Sequence, residues 1–469
     1  GKRVNSASDD AAGLGIATKL RAQVNSLNAA TRNATDALAL IGTIDGALEE
    51  SGEILLRMRE LAVQSASDTN TGTDRSFIQD EINALNNELN RISSSTEFNA
   101  VKLLDGTYNN KQIQIGTGAN QVFNIGVTAT DSSTLGAYEL ESTAEITTSA
   151  KATAAAAKTA LTALLADAAD YTVKGSFGSA TVKVDAGADA RDVAKSFNLS
   201  AGTTGINATA ITKASITGLG KATTISFTLQ GKSTTASTVN ATVDSTSNLT
   251  ALKDAINSVS GATGISASLT TDLSGINLVQ QEGYDIVIGD VTTSHASGTM
   301  TIKVADKAGT AQGTEQTLKG FTTADDSVAM VGQVSLSSHK AFTVASGDAA
   351  NHFATDTSAQ TSTLQSMGAV DISSQTGATK ALSVIDGAIA MISEVRSEMG
   401  AAENRLTSTV DNLSNVSVNT QRSLTAVEDA NFASETSALT KAQILQQAAT
   451  SMLAQANKAK QTMLVLLQG

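Results

Sequence analysis

Cysteine, proline and tryptophan are absent from this chain of 469 residues, and aromatic side chains make up only 3% of it. Without cysteine there is no disulfide, iron–sulfur cluster or thiolate metal site, and nothing cross-links the chain before or during an export step. With few aromatics there are few large anchors. Ligand and substrate pockets are usually lined by apolar and aromatic groups around a few convergent polar ones, so the composition favours a scaffold over an enzyme. The formal charge of −13 comes without any cluster of Lys and Arg. That argues against nucleic acid as a partner, because phosphate binding needs clustered cations that release counterions. No run of about 18 apolar residues is present for a membrane span, and no basic-then-apolar leader opens the chain. A chain of this kind that leaves the cell takes a route without a cleaved signal peptide.

What is present divides by texture. From Val4 to about Ser65 the apolar residues Leu20, Val24, Leu27, Ala34, Leu38, Ile41, Leu48, Leu55 and Ala62 follow one alternating three-and-four spacing, interrupted at Thr31, Asp45, Gly52 and Arg59. This predicts a long helix with a heptad seam. The polar run Asp68 to Thr73 breaks it, and a second helix is expected from near Asp74 through Ile78, Ile82, Leu85, Leu89 and Ile92. Alternation at Ile113 and Ile115, then at Val122, Ile125 and Val127, flanks the turn-like Gly116 to Asn120 and predicts a β-hairpin. From about Lys380 the seam returns through Ile385, Ile389, Ile392, Met399, Leu406, Val410, Leu413, Leu424 and Val427. It continues more thinly through Ala438, Leu445, Ala448, Met452, Ala459 and Leu466, with interruptions at Arg396, Glu403, Ser417 and Thr420. Proline-free throughout, this region predicts one very long helix or two with a joint.

Between about 140 and 375 lie short β-branched runs, such as Ala180 to Val184, Ile225 to Leu229 and Ile286 to Ile288, separated by Gly, Ser, Thr, Asn and Asp. A mainly β insertion with a few short helices is expected. Within it Thr204-Gly205-Ile206-Asn207-Ala208 recurs as Thr263-Gly264-Ile265-Ser266-Ala267, each after a short amphipathic segment. Two copies fit a duplicated supersecondary unit rather than a solenoid, which needs at least three. Seams at both ends with an unrelated block between them imply that the termini pair and the middle projects.

Arg3-Val4-Asn5-Ser6-Ala7-Ser8-Asp9-Asp10-Ala11-Ala12-Gly13-Leu14 resembles the N-terminal region of bacterial flagellins, and Arg57 to Ala66 and Phe98 to Leu104 resemble two further segments of that family. Gln446 to Ala449, Leu453 to Asn457 and the apolar Met463 to Leu467 are similar to its C-terminal helix. The resemblance covers residues 1 to about 140 and about 376 to 469. In this family some thirty or more residues normally precede the Arg-Val-Asn-Ser-Ala segment, so the stripe on Leu445, Met452 and Leu466 is expected to lack an intrachain partner.

The expected fold class is multidomain α plus β, a long antiparallel helical bundle or coiled coil from both termini with a β-hairpin, and a mainly β central insertion. Expected boundaries are 1–140 for the N-terminal helical hairpin and β-hairpin, 141–375 for outer domains of two units, 376–424 for the C-terminal core helix and 425–469 for a terminal helix. The resemblance implies a subunit that polymerises into the flagellar filament for motility, outside the cell, exported through the flagellar apparatus. Residues from Thr425 onward are expected to fold only on assembly. Implied partners are further copies of the chain, an export chaperone, cap and junction proteins, and a flagellin-sensing Toll-like receptor facing Arg57, Leu61 and Glu88. Alternatives are a hook-filament junction protein, or a surface protein holding glycans or host surfaces.

No catalytic residues, cofactor or metal ligands are expected. His295, His339 and His352 lack metal-ligand spacing and are expected on the surface, and no His-Glu-x-x-His occurs. Asp9 and Asp10 are adjacent, hence about 100° apart on a helix, and read as packing and capping groups. The glycine-rich stretches lack a phosphate-loop lysine and read as turns.

Overall fold

The computed structural model describes residues 1–143, 145–146, 150–164, 169–295, 297–307, 309–320, 325–346, 353 and 358–467. Its nine α-helices among these are α1 (Ala11–Ala66), α2 (Gly72–Ser95), α3 (Ala154–Leu164), α4 (Ala190–Leu199), α5 (Ala201–Thr204), α6 (Thr250–Ser258), α7 (Ser260–Thr263), α8 (Gln375–Glu428) and α9 (Phe432–Leu467). The chain forms two compact units. One holds Gly1–Thr43, Asn109–Gly126 and Glu398–Gly469; the other holds Ile44–Tyr108 and Val127–Ser397.

Helix α1 begins where Asp10 accepts the backbone N–H of Gly13 through Oδ1 (2.8 Å), so this aspartate is a cap. Asp9 accepts from the backbone of Asn5 and Ser6 instead, which lowers its pKa, and the segment before Ala11 is held as a turn. Helix α2 starts on a capping box in which Thr71 and Asp74 satisfy each other's backbone N–H groups. The C-terminal seam is carried by two helices, α8 and α9, with residues 429–431 as the joint. A β-hairpin pairs Lys111–Gln114 with Val122–Ile125.

The central region is built of antiparallel sheets. In the largest, the strand Asn207–Leu219 lies between Ile276–Gln280 and Gln333–Ser338, and Gln333–Ser338 in turn pairs Gly136–Glu141. A five-stranded sheet runs in the order Ser237–Val243, Thr223–Gln230, Ile286–Thr293, Val328–Val331, Glu145–Ile146. Two hydrophobic cores lie on its opposite faces: Ile286, Ile288, Val328 and Met330 enter one, while Val287, Ala329 and Val331 enter the other. A strand buried on both faces reads as a continuous apolar run, which accounts for Ile286 to Ile288. The second core contains the aromatic group Tyr171, Phe197 and Phe353, with ring centroids 5.5–5.7 Å apart.

The sequence repeat is a structural duplication. In one copy Asn198 bonds the backbone N–H and C=O of Ala208; in the other Asn257 does the same to Ala267. Each short helix ends on a left-handed glycine, Gly205 (φ 72°) or Gly264 (φ 70°), a conformation that side-chain-bearing residues rarely adopt.

Candidate assembly interface

Within the larger unit, α1 and α8 are tied by two bidentate ion pairs. Arg59 grips Asp386 (Nε–Oδ1 2.6 Å, Nη2–Oδ2 3.4 Å), and Arg396 grips Asp45 (2.8 and 3.3 Å). Carboxylate hydrogen bonding holds both guanidinium groups above their ordinary pKa. Higher numbers on one helix meet lower numbers on the other, so the pairing is antiparallel. Between these rungs the side chains of Leu48, Leu55 and Ile392 are buried, as is Ile385 just beyond them. Fully burying each such aliphatic group contributes about 1.5–3 kcal/mol.

In the smaller unit the same helices meet again, with Ser417 donating to Asn28 Oδ1 (2.9 Å) and Leu27, Ala30 and Leu413 forming a small core. Farther along, Arg21 and Lys2 both reach Glu428 and hold its carboxyl below the usual range. The β-hairpin is fixed by Asn33 Nδ2, which donates to the Gln114 carbonyl (2.9 Å), and by Arg405 stacked over Phe123 at 5.1 Å.

Of the other seam residues, Val24, Ile41, Met399 and Leu406 are buried, and Leu20, Leu38, Ile389 and Val410 are half-buried. Leu445 and Met452 stand on α9, where every side chain from Phe432 to Lys460 is exposed. They are 59% and 71% exposed, alongside Ile444 and Leu453 at 60% and 63%. The side chain of Leu466 lies outside the described residues.

The seam spacing missed a second buried stripe on α1. Ile44, Ser51, Met58 and Ser65 recur at seven-residue intervals and are all covered. Two of the four are serines, which breaks the apolar signal; Ser65 Oγ donates to the Ile372 carbonyl at 2.6 Å. Arg57 is exposed and bound to Glu60 and Glu81. Glu88 is half-buried and bound to Arg91. Leu61, 1% exposed, offers no surface to a partner as placed.

His295 is exposed, whereas His339 is tucked against Phe177 with Nε2 3.4 Å from Glu394, a correction to its expected surface position. The cause is the neighbouring α8 carboxylate, which no local sequence pattern reveals. His352 lies outside the described residues.

Comparison with known proteins supplies the family. The bacterial flagellin N-terminal helical region matches residues 1–109 and the bacterial flagellin C-terminal helical region matches 382–467. The B-type flagellin of Pseudomonas aeruginosa is 34% identical over 471 residues, covering 100% of this chain and 93% of that protein. The chain belongs to the bacterial flagellins. A flagellin of Salmonella rubislaw is 32% identical over 494 residues, again covering 100% and 93%. Among solved structures, FliC from Burkholderia pseudomallei is matched at 16% identity with a TM-score of 0.32, covering 78% of this chain and 99% of that one. As a flagellin the chain is a structural subunit of the bacterial flagellar filament and self-assembles into a polymer. The flagellin hook IN motif matches 224–281, the second copy of the duplicated unit.

Proposed function

We propose that α9 is the principal contact between copies of this flagellin and that residues 141–375 face solvent. The observation that supports this is the stripe of exposed apolar side chains on α9, Ile444, Leu445, Met452 and Leu453. Contiguous exposed apolar surface on a soluble protein marks an interaction site. Identical chains joined by contacts that do not close into a ring give an open helical polymer. The paired helices differ, because much of their apolar seam, including Leu48, Leu55, Ile385 and Ile392, is already buried.

Leu445, Met452 and Leu466 are the assembly residues of α9 in this reading, and the half-buried Leu20, Leu38, Ile389 and Val410 contribute a secondary contact. Other partners in this reading are an export chaperone, cap and junction proteins, and a Toll-like receptor meeting Arg57 and Glu88 on the surface, with Leu61 supporting that face from beneath. Transport without a cleaved leader through the flagellar export apparatus completes the proposal.

Seeded polymerisation followed by electron microscopy tests the assembly role. Met452→Asp places a charge in the stripe, and the expected result is loss of filaments with an unchanged monomer circular dichroism spectrum. Normal filaments from that variant would overturn the assignment of α9.

A further inference from the structure

The five-stranded sheet of the insertion ends on the strand Ser237–Val243, whose seven residues all pair with Thr223–Gln230. Among the described residues no other strand adjoins it, and no further backbone hydrogen bond reaches it. An edge strand presents a row of free N–H and C=O groups, which is a template for another strand.

The other edges are guarded or short. Ser179–Val184 carries Lys183, and Ala311–Lys319 carries Glu315 and Lys319 and shifts register against Thr299–Ala305. Ile265–Leu269 has five residues, Thr363–Ser366 four and Glu145–Ile146 two. Charges, bulges and short length are the devices that keep edges from pairing. Ser237–Val243 has none of them: it reads Ser-Thr-Val-Asn-Ala-Thr-Val, with an unbroken register.

Its side chains select the partner. Set antiparallel to a second copy about Asn240, all seven residues overlap: Asn240 faces Asn240, Thr238 faces Thr242, Val239 faces Ala241 and Ser237 faces Val243. Opposed residues of an antiparallel pair stand on the same face of the sheet. Thr238, Asn240 and Thr242 are exposed, while Val239, Ala241 and Val243 are buried in one core with Leu252 and Ile256 of α6. Polar therefore meets polar and apolar meets apolar, with no like charges opposed. Moving the axis to Val239 would leave Thr242 and Val243 unpaired. The backbone would accept many strands; the symmetry of the side chains favours a second copy.

We infer that two copies of this chain join edge to edge through Ser237–Val243, about a two-fold axis at Asn240, making one continuous sheet. Such a contact closes at two copies and does not lengthen a polymer, so it is separate from the contact proposed for α9. One strand pair is small beside a standard protein interface, so the pairing is weak between free chains and grows with concentration.

Cysteine scanning of the concentrated, unpolymerised full chain tests this, because the parent has no cysteine. Asn240→Cys places two thiols opposite each other, with Cβ atoms about 4.5–5.5 Å apart, and is expected to give a disulfide-linked dimer under mild oxidation. Thr238→Cys alone sets its twins about 14 Å apart, beyond disulfide reach, whereas Thr238→Cys mixed with Thr242→Cys should cross-link. Thr224→Cys, exposed but one strand in from the edge, is the background, and Asn240→Cys is expected to cross-link at least about tenfold faster. Adding Asn240→Lys to both members of the mixed pair should slow its cross-link, and Lys on one with Glu on the other should restore it. These positions are exposed, and circular dichroism checks that each variant folds. The cross-link is read at the edge itself, so its outcome is independent of α9. Asn240→Cys reacting no faster than Thr224→Cys, equal yields from Thr238→Cys alone and from the mixture, or no effect of the paired lysines would each overturn the inference.

Discussion

Helices α8 and α9 follow one another in sequence, lack proline and carry apolar residues at similar spacing, yet they meet different fates. On α8, Ile385, Ile392, Met399, Leu406 and Leu413 are covered, at seven-residue intervals. On α9, Leu445 and Met452, also seven apart, are bare. Periodicity reports that a helix has a greasy edge, not whose edge covers it. Helix α1 binds α8 through the Arg59–Asp386 and Asp45–Arg396 ion pairs, whereas the apolar edge of α9 is the one proposed above to meet neighbouring copies.

The sharpest way to separate the two helices is truncation of one leucine in each kind of setting. Leu48→Ala removes a fully buried side chain facing the α8 seam and is expected to cost about 2–5 kcal/mol in denaturant unfolding of the monomer. Leu445→Ala should leave monomer stability within about 0.5 kcal/mol while slowing polymerisation. Equal losses in the two variants would erase the distinction.

The paired helices and the insertion are also expected to fail at opposite ends of the pH scale. Asp285 has its pKa raised to about 7, chiefly by burial, with Asp189 adding repulsion, and its Oδ1 has no hydrogen-bond partner among the described residues. The fold favours its protonated form over the unfolded chain's ordinary carboxyl, so the stability it supplies is complete below about pH 4 and lost as pH rises through about 7. Asp285→Asn should make the insertion roughly 2–4 kcal/mol more stable than the parent at pH 8 and little different at pH 4, read from thermal melts. Glu428 has the reverse sign: Lys2 and Arg21 lower its pKa, so its contribution is present at neutral pH and lost in acid. Proton-exchange protection near Glu428 is expected to fall before that of the insertion on acidification. A pH-independent stability difference between parent and Asp285→Asn would contradict the assignment.

A smaller effect belongs to the rung between Asp45 and Arg396. Its side chains remain 41% and 38% exposed, so solvent screens the pair and a double-mutant cycle should return about 0.5 kcal/mol. The rung sets alignment more than strength.

Much of this arrangement is legible from residues alone because long seams are cheap to detect. The heptads naming Leu48, Leu55, Ile385 and Ile392 point to elements that the structure buries. Even the breaks in those heptads carry information: Asp45 and Arg396 interrupt their respective seams and bind each other. That complementarity fixes an antiparallel register, and it becomes readable only when both breaks are considered as a pair. The second stripe on α1 was hidden by Ser51 and Ser65, whose small polar side chains suit close packing but weaken any apolar count. In the insertion the repeat around Gly205 and Gly264 is visible because a left-handed helix end calls for glycine. The sheet order, by contrast, depends on pairings between distant strands, such as Gly136–Glu141 with Gln333–Ser338, for which no local pattern exists.

The most direct test of the claim that one helical edge is satisfied within the chain and the other between chains is amide hydrogen exchange in dilute monomer and in assembled filament. Residues 20–60 should be protected in both states, and residues 436–460 should exchange freely in the monomer and become protected in the filament. Equal protection of 436–460 in the two states would contradict the account.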